Sequence, residues 1–467
     1  MAHRKIRHKV YEDLEITGLS SEGLGIARVE EKVVFVEQCI PGDVVKARTF
    51  QRRKNFEKAR ILELITPSPD RQAHFCKHFE SCGGCKWQYL PYEKQIAFKD
   101  QIVSDAFTRL AKVEVGERLP ILPALETEFY RNKLEYTFST NRWFTTEEIA
   151  TGDDLDFRAL GFHVPGQHTK VVDIEKCYLQ NDFSNRLRNA VREYALERNL
   201  AFYNIKVREG FMRNLVVRTA STGEVLVIMI VNEDNDELLP LMAFIKEKFP
   251  EITSLNYIIN PKMNDTYFDQ TPVCYSGEAF IYEQLGHFKF KIRPKSFFQT
   301  NTKQGERLYD VIKEFADLQG TETLYDLYAG VGSIGLYLSD NCERLVGIEQ
   351  IDQAVEDAKE NAKLNNVENA DFHVGDVRML LNAEFLAQNG QPDVLITDPP
   401  RGGMHPEIVQ TILEAKVPKI VYVSCNPSTQ ARDIAVLDEL YKVVKMQAVD
   451  MFPHTVHIEN VALLELR

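Results

Sequence analysis

A cysteine near the end of the chain follows a run of residues that predicts a buried β-strand. In the stretch KIVYVSCNPST, Ile420 to Val423 are apolar and rich in β-branched residues, and Cys425 comes just before an Asn-Pro turn signal. Such a run predicts a strand of a parallel sheet, and ligands of open α/β sheets bind outside the carboxyl ends of the strands. The Cys425 thiol is therefore a candidate nucleophile. Burial as a small apolar side chain is the alternative that this pattern alone favours.

A second group of cysteines has the types and spacing of metal ligands. Cys76, Cys82 and Cys85 occur in CKHFESCGGCKWQ, and Cys177 in DIEKCYLQ is a distant fourth thiol. Four thiolates suit either zinc or an iron–sulfur cluster, and the spacing does not separate the two. Eight cysteines in so long a chain do not indicate a disulfide framework. The others are predicted to be packing residues: Cys39, Cys274 and Cys342.

A glycine-rich turn indicates a nucleotide-type cofactor. The stretch TLYDLYAGVGSIGLYLS leads from a predicted strand through Gly330, Gly332 and Gly335 into a predicted helix, and Glu349 ends the next strand, RLVGIE. Glycines allow close approach of the backbone to a ligand, and an acid about 20 residues on can bind ribose hydroxyls. A nicotinamide dinucleotide and S-adenosylmethionine both satisfy this arrangement, so the turn leaves the cofactor open.

The strand DVLITDPPRGG favours one of these cofactors. It ends in Asp398, followed by two prolines and an arginine. An Asp-Pro-Pro turn at the fourth strand is typical of S-adenosylmethionine-dependent methyltransferases that act on bases, and dehydrogenases do not need it. A simple proline turn is the structural alternative.

The pattern of predicted strands and helices along the chain indicates a multidomain α/β protein, whose domains must position these residues. Short β-like runs with turn signals predict a small β-barrel in residues 1–66, and mixed strands and amphipathic helices predict a central α+β domain in residues 67–290. Alternating strands and helices in residues 291–467 predict a Rossmann-like, doubly wound parallel sheet. Residues 291–467 contain the candidate nucleophile, the glycine turn and the Asp-Pro-Pro turn.

The charge distribution and hydropathy of the chain bear on whether it binds nucleic acid, spans a membrane or is secreted. The net charge of -13 argues against a nucleic-acid partner, but basic residues are concentrated in HRKIRHK and KARTFQRRKNFEKAR near the start of the chain. No stretch approaches the roughly 18 apolar residues of a membrane span, and no apolar segment of a secretory signal follows the first basic residues. We expect a soluble, cytoplasmic protein, without a membrane partner and monomeric.

The motifs PKSFFQTN, DLYAGVG, DPPRGG, VSCNP and HIENVALL occur in this order. With them the chain resembles the uracil-5-methyltransferases of RNA, the family that forms 5-methyluridine in transfer and ribosomal RNA, over nearly its whole length. The resemblance implies that the N-terminal barrel is an RNA-binding, OB-like TRAM domain. The CGGCKWQ pattern resembles the iron–sulfur branch of the family. This implies a [4Fe-4S] cluster bound by the four cysteines, 23S ribosomal RNA as the first-choice substrate and transfer RNA as the second.

The resemblance also assigns roles to individual residues. It implies that Cys425 is the nucleophile, that Glu459 in HIENVALL is the general base, and that the S-adenosylmethionine-binding positions are Gln299, Tyr328, Glu349 and Asp398. One departure is Ser333, where some relatives have asparagine. The chemistry needs such residues because carbon 5 of uracil is a weak nucleophile. A thiolate that adds to carbon 6 activates carbon 5 for methyl transfer, and a base must then remove the carbon 5 proton.

Two other functional classes remain alternatives. A nicotinamide-dependent iron–sulfur oxidoreductase would account for the glycines and the clustered cysteines, but not for DPPRGG or Cys425. A non-catalytic RNA-binding protein would account for the barrel, but predicts that Cys425 and Glu459 can be replaced without consequence.

Overall fold

The structure is a computed structural model that describes residues 8–152 and 155–467. Most of the basic run HRKIRHK therefore lies outside the described residues. The chain divides into two compact units, one comprising Met1–Ile102 with Phe452–His457, and the other comprising Val103–Met451 with Ile458–Arg467. The iron–sulfur domain that the sequence predicts is not shown by the structure, and the predicted domain boundaries stay predictions.

The first unit contains a six-stranded sheet where the sequence predicts a small barrel. The strand order is β1-β5-β6-β4-β3-β2, and only β4 and β6 pair in parallel. Alternating side chains of these strands point into a core that includes Val34, Val36 and Val45, as expected because successive strand residues face opposite sides. The strands are β1 Val10–Glu15, β2 Gly18–Leu19, β3 Gly25–Val29, β4 Lys32–Glu37, β5 Val44–Arg52 and β6 Phe56–Thr66.

A second, smaller core of the first unit lies beneath the cysteine-rich loop. Buried Trp87, Phe79 and Tyr89 form it, and Cys76 and Cys85 pack against it. The side-chain amide of Gln95 donates hydrogen bonds to the carbonyls of Trp87 and Leu90. These contacts hold a segment that has little regular secondary structure.

The second unit contains a seven-stranded central sheet with the order β10-β9-β8-β11-β12-β13-β14. Its strands are β8 Lys133–Ser139, β9 Ala159–Val164, β10 Gln167–Asp173, β11 Met212–Thr219, β12 Val225–Val231, β13 Ser254–Ile259 and β14 Val273–Gly277. Residues on one face contact helix α3 (Asp182–Glu197), since the Tyr136 hydroxyl donates a hydrogen bond to Ser184. Helix α4 (Leu238–Lys248) stacks Phe244 on Tyr194 of α3.

The same unit contains an eight-stranded sheet with the order β19-β18-β17-β20-β21-β23-β22-β7. Its first five strands are mutually parallel, and β23 pairs antiparallel with both β21 and β22. The strands are β7 Val115–Arg118, β17 Thr323–Leu327, β18 Arg344–Glu349, β19 Ala370–Val374, β20 Val394–Thr397, β21 Lys419–Ser424, β22 Tyr441–Val449 and β23 Glu459–Leu466. This is the α/β architecture that alternating strands and helices predict.

The remaining regular elements connect these sheets. A hairpin is formed by β15 Ile281–Leu285 and β16 Phe288–Ile292. The remaining helices are α1 Tyr92–Asp105, α2 Thr146–Thr151, α5 Thr302–Ala316, α6 Ser333–Leu338, α7 Asp352–Leu364, α8 Val377–Leu380, α9 Ala383–Asn389, α10 Pro406–Ala415 and α11 Pro427–Leu437. None of the helices that the structure describes is long and apolar enough to cross a membrane.

Candidate active site

The carboxyl ends of four parallel strands bring predicted site residues to one edge of the eight-stranded sheet. Tyr328 follows β17, Glu349 ends β18, Asp398 follows β20 and Cys425 follows β21. Because these strands are parallel neighbours in the sheet, their carboxyl ends share one edge. This is where open α/β sheets bind their ligands.

Glu459 reaches the same place from an antiparallel strand. Ser424 of β21 is paired with Asn460 of β23, so the next residues outward in this register are Cys425 and Glu459. Cys425 itself lies just beyond the end of β21, and the charge of Glu459 acts on its thiol. The predicted nucleophile and the predicted base therefore lie near each other, although 33 residues separate them along the chain.

The two carboxyl groups at this edge are buried and close enough to influence each other. Burial raises the pKa of Asp398 to about 7. Burial, and then the charge of Asp398, raise the pKa of Glu459 well above its ordinary value, while Arg401 opposes this change. Because two neighbouring carboxylates disfavour ionising together, this pair can hold a proton near neutral pH and release it easily.

The Cys425 thiol lies in the same electrostatic environment. Burial, followed by the charges of Glu459 and Asp398, raises its pKa to about 11, and the charge and a hydrogen bond of Arg401 oppose that rise. The resting form at neutral pH is therefore the thiol. Arg401 was not among the residues predicted for the site. Its position in the quoted DPPR motif was the available signal.

The glycine turn is built as the sequence predicts and is linked to Glu349. One carboxylate oxygen of Glu349 accepts a hydrogen bond from the Gly330 amide at 3.0 Å, and the other accepts from the Ile351 amide at 2.9 Å. Tyr328 has φ +65°, a conformation that is uncommon for non-glycine residues and is concentrated at functional sites.

Asp326, which sequence reasoning missed, lies beneath this turn. Its Oδ2 accepts a hydrogen bond from the Gly335 amide at 2.9 Å, while its buried Oδ1 has no partner among the described residues. Burial raises its pKa to about 7. A Cβ at position 335 would lie 2.8 Å from Leu345 and 2.9 Å from Asp326, so glycine is required there. The signal was the first letter of DLYAG.

Gln299 is buried in the loop that precedes α5, and two neighbours hold it. Asn132 donates a side-chain hydrogen bond to the Gln299 carbonyl at 2.8 Å. The Tyr309 hydroxyl is hydrogen-bonded to the Gln299 side chain and, at 2.8 Å, to the Ser333 hydroxyl. The serine at the position where some relatives have asparagine thus has a structural partner, Tyr309.

The cysteine-rich loop has some features of a thiolate metal site but not a complete one. The Gly84 amide donates a hydrogen bond to the Cys82 sulfur at 3.4 Å, and backbone amides also oppose the burial that raises the pKa of Cys76. Such bonds to sulfur accompany cysteinate clusters. Among the described residues, however, no group of three or more Cys, His, Asp or Glu side chains is arranged to hold a metal ion. Cys177 belongs to the second unit.

Comparisons with known proteins show the family of the chain. Residues 278–467 match the family model described as tRNA (Uracil-5-)-methyltransferase, and residues 13–69 match the model described as tRNA (uracil(54)-C(5))-methyltransferase, TRAM domain. A Bacteroides thetaiotaomicron protein described as an uncharacterized RNA methyltransferase is 49% identical over 96% of this chain and 100% of its own. A Porphyromonas gingivalis protein with the same description is 47% identical over 97% of this chain and 99% of its own.

A solved structure extends the similarity to the whole fold. The Pyrococcus abyssi tRNA (uracil-54, C5)-methyltransferase, in complex with S-adenosyl-L-homocysteine, superposes with a TM-score of 0.75 and 29% identity, covering 97% of this chain and 100% of that one. The match to the methyltransferase family model, over the part of the chain that forms the parallel sheet and its acid-bearing edge, defines an S-adenosylmethionine-dependent methyltransferase. The chain belongs to the RNA (uracil-5-)-methyltransferase family and is an enzyme that acts on RNA.

Proposed function

We propose that this enzyme methylates carbon 5 of a uridine in 23S ribosomal RNA through a covalent adduct with Cys425. The observation that supports this proposal best is that Cys425 and Glu459 directly adjoin the paired residues Ser424 and Asn460 at the carboxyl edge of the sheet, where the charge of Glu459 acts on the Cys425 thiol. A nucleophile and a base must both reach one pyrimidine ring. Neighbouring positions on adjacent strands meet that requirement.

The mechanism begins with loss of the thiol proton. Because the Cys425 thiol has a high pKa, it needs a base to lose its proton, and the adjacent carboxyl groups of Asp398 and Glu459 would accept it. Arg401 stabilises the thiolate, since its charge and hydrogen bond lower the thiol pKa. The thiolate then adds to carbon 6 of the uracil. The electron pair of the carbon 5–carbon 6 double bond moves into an enolate, which makes carbon 5 nucleophilic.

S-adenosylmethionine, when bound, supplies the methyl group that carbon 5 takes. Carbon 5 then carries both the new methyl group and its original hydrogen. Glu459 removes that hydrogen as a proton, the double bond re-forms, and the bond between carbon 6 and the Cys425 sulfur breaks. The thiol proton returns to the Cys425 sulfur when the thiolate leaves, so one turnover releases a single proton, which comes from carbon 5. The two neighbouring carboxyl groups can carry these protons in turn.

The remaining predicted residues are proposed to bind the methyl donor. Glu349 would accept hydrogen bonds from the ribose hydroxyls, because its carboxylate is fixed at the end of β18 by two backbone amides. Tyr328, Gln299 and Asp398 would contact the rest of the molecule. The unpartnered oxygen of Asp326 beneath the turn is a further polar group that a cofactor or a water molecule can satisfy.

The choice of RNA rests on two different observations. The cysteine pattern resembles that of the family members that modify large-subunit ribosomal RNA and supports 23S RNA. The similarity to an archaeal enzyme that acts on transfer RNA supports transfer RNA as the second candidate. Mapping 5-methyluridine in RNA from a deletion strain separates them. We expect one or more 23S sites to lose the methyl group; intact 23S RNA with an unmethylated transfer RNA would reverse the choice.

The covalent mechanism is tested with RNA that contains 5-fluorouridine. Fluorine at carbon 5 cannot leave as a proton, so the adduct should persist in denaturing gels with the wild type and be absent with Cys425→Ala. Cys274→Ala is the matched control, because Cys274 is an exposed cysteine of the same unit. An adduct that forms with Cys425→Ala and not with Cys274→Ala would contradict the assignment.

We also propose that Cys76, Cys82, Cys85 and Cys177 bind a [4Fe-4S] cluster. The support is the donor set of four thiols and the amide hydrogen bond to sulfur in the cysteine-rich loop. Their chemistry suits a soft metal. Iron and acid-labile sulfide are measured in protein purified without oxygen, and stoichiometric zinc without sulfide would exclude the cluster. No catalytic step requires it.

A further inference from the structure

Two cations oppose each other at one end of the central sheet. Lys133 begins β8, and Arg218 lies directly across from it on β11. Directly opposed residues of antiparallel strands project from the same face of the sheet. This face is opposite to the one that Tyr136 presents to α3, because neighbouring residues of a strand alternate. Arg131, two residues before Lys133, adds a third positive charge.

This arrangement is unfavourable for the folded protein by itself. Like charges directly opposite in a sheet are destabilising, and here both are largely buried. Burial, and then the charges of Arg218 and Arg131, lower the pKa of Lys133 to about 8, while Glu135 acts in the opposite direction. Burial also lowers the pKa of Arg218 to about 10, while the charges of Glu283 and Tyr267 act in the opposite direction.

Lys133 also lacks a direct partner for its charge. In the part of the chain that the structure describes, its ammonium group makes no hydrogen bond or ion pair. Glu135 acts on Lys133, and Glu283 acts on Arg218, as the opposite charges near this pair. Among the described residues, however, neither carboxylate forms an ion pair with either cation, and both accept hydrogen bonds from hydroxyl groups instead. Two opposed cations without a direct carboxylate contact leave room for an anion from outside the protein.

Exposed aromatic side chains adjoin the two cations. Arg218 donates a hydrogen bond to the carbonyl of Ser296 at 3.2 Å, and the next residue, Phe297, has 70% of its surface exposed. Lys295 donates to the carbonyl of Phe268 at 2.8 Å, and Phe268 is 61% exposed. Basic groups beside exposed aromatic rings are the combination that binds single-stranded nucleic acid, through phosphates and stacked bases.

We propose that Lys133, Arg218, Phe268 and Phe297, which we call the Lys133 surface, bind the single-stranded RNA that flanks the target uridine. A backbone phosphate would lie between Lys133 and Arg218, and a neighbouring base would stack on Phe297. This inference rests on the proposed function, since it places the substrate of that reaction.

The position of the Lys133 surface suits this role. Phe297 and Gln299 belong to the same loop, and Asn132, beside Lys133, fixes that loop by hydrogen bonds to the Gln299 carbonyl at 2.8 Å and the Thr302 hydroxyl at 2.9 Å. An RNA strand on the Lys133 surface would therefore lie next to the cofactor-binding loop. Binding flanking nucleotides can offset the few kcal/mol that removing a base from its stack costs.

The decisive variant is Lys133→Met, which removes the charge and keeps the side-chain length. RNA affinity is measured over a range of salt concentrations, with the RNA that gives the fluorouridine adduct with the wild type. Each phosphate contact with a single strand contributes about 0.7 to the slope of log affinity against log salt. We expect Lys133→Met to reduce the slope by about that amount and to weaken binding about 10-fold.

Two controls accompany Lys133→Met. Lys246→Met removes an exposed lysine from α4, on the opposite face of the central sheet, and should leave affinity and slope unchanged. Lys133→Arg keeps the charge and should preserve the slope. Binding of S-adenosylhomocysteine by calorimetry confirms that each variant is folded.

A second variant tests the stacking interaction without disturbing the fold. Phe297→Ala changes a side chain that is mostly exposed, so it should fold like the wild type. Loss of one stacked base is expected to weaken RNA binding about 10-fold with the salt slope unchanged, and Phe297→Trp should restore affinity.

The outcomes separate this inference from the proposed function. If the wild type forms no adduct with any RNA, the proposed function fails. If the wild type forms the adduct, and folded Lys133→Met and Phe297→Ala both bind that RNA with wild-type affinity and slope, the Lys133 surface is not the RNA site. If Lys133→Met weakens binding of inorganic phosphate only, and not of RNA, the site binds a small anion instead.

Discussion

The second unit contains two clusters of like charge that differ in what they are built to do. At the carboxyl edge of the eight-stranded sheet, burial raises the pKa values of two carboxyl groups, Asp398 and Glu459. At the end of the central sheet, burial and like charges lower the pKa of Lys133. In both clusters burial therefore favours the neutral form of the side chains over their charged form.

The difference lies in the partners of each cluster. The carboxyl groups face a thiol and an arginine, with which they can exchange protons and share charge. The cations face each other, next to exposed aromatic rings. The first cluster therefore suits proton transfer within the protein, and the second suits an anion from outside it. Variants at each cluster should change different measured quantities.

The largest effect is expected at the acidic cluster, from Glu459→Gln. Without a base, the carbon 5 proton stays in place after methyl transfer and the cysteine cannot leave. Turnover should fall about 10²- to 10⁴-fold, and a methylated RNA–protein adduct should accumulate. Intact-mass spectrometry of the adduct measures this. The matched control is Glu465→Gln on the same strand, since Glu465 only pairs with Lys442 on the surface; wild-type turnover by Glu459→Gln would refute the assignment.

The pH dependence should separate the two clusters. The rate of the chemical step should rise from pH 6 to pH 9, because the carboxyl pair must lose its proton, with a pKa of about 7 for Asp398, and because the thiolate fraction of Cys425 grows toward its pKa of about 11. RNA affinity should instead fall above pH 8, where Lys133 loses its charge. Single-turnover rates and equilibrium RNA binding, measured over the same pH range, test whether the rate rises while the affinity falls.

Asp398→Asn tests whether the charge of Asp398 controls the pH dependence of the rate at the acidic cluster. The charge of Asp398 raises the pKa values of both Cys425 and Glu459, so its removal should lower both. The rising limb of the single-turnover rate should then shift to lower pH, by about one unit for a closely coupled pair. Reactions are run with saturating methyl donor, since Asp398 is also a proposed binding residue. An unchanged limb would show that the pair does not control the rate.

The sequence was sufficient to place the candidate nucleophile but not its relation to the base. Apolar runs followed by Cys425 or Asp398 predict strand ends correctly because local periodicity determines them. The proximity of Glu459 depends on β23 entering the sheet antiparallel between β21 and β22, and no local pattern encodes a strand order. Its role came only from the family resemblance.

The Lys133 surface is even harder to predict from the sequence, because it also depends on which strands pair. Lys133 and Arg218 lie on strands that are far apart in sequence, and each is an ordinary charged residue in its own segment. Only their register makes them a destabilising pair. Strand β7 is a similar case, because it joins β22 at the sheet edge from a distant part of the chain. Long-range pairing of this kind is absent from composition, periodicity and spacing.

The stability of Lys133→Met tests whether the cation serves the fold or a ligand. A lysine whose pKa is lowered on folding, from 10.5 to about 8, destabilises the fold below pH 8, and this penalty disappears above pH 10.5. The free energy of unfolding of the variant at pH 7 should therefore exceed that of the wild type, by up to about 3 kcal/mol. The variant should unfold at a higher denaturant concentration, and the gain should vanish by pH 11. Destabilisation at pH 7 would indicate a structural role.

The smallest effect is expected at Asn132, which connects the two clusters. Its side-chain amide group holds the Gln299 carbonyl and the Thr302 hydroxyl, so Asn132→Ala should loosen the cofactor-binding loop without removing a charge. At about 0.5 kcal/mol for each of the two lost hydrogen bonds, the total of about 1 kcal/mol corresponds to roughly 5-fold weaker binding of S-adenosylhomocysteine by calorimetry. The salt slope of RNA binding should stay at the wild-type value, because Lys133 and Arg218 remain. A reduced slope would mean that the position of Lys133 depends on this loop, so that the two clusters act as one site.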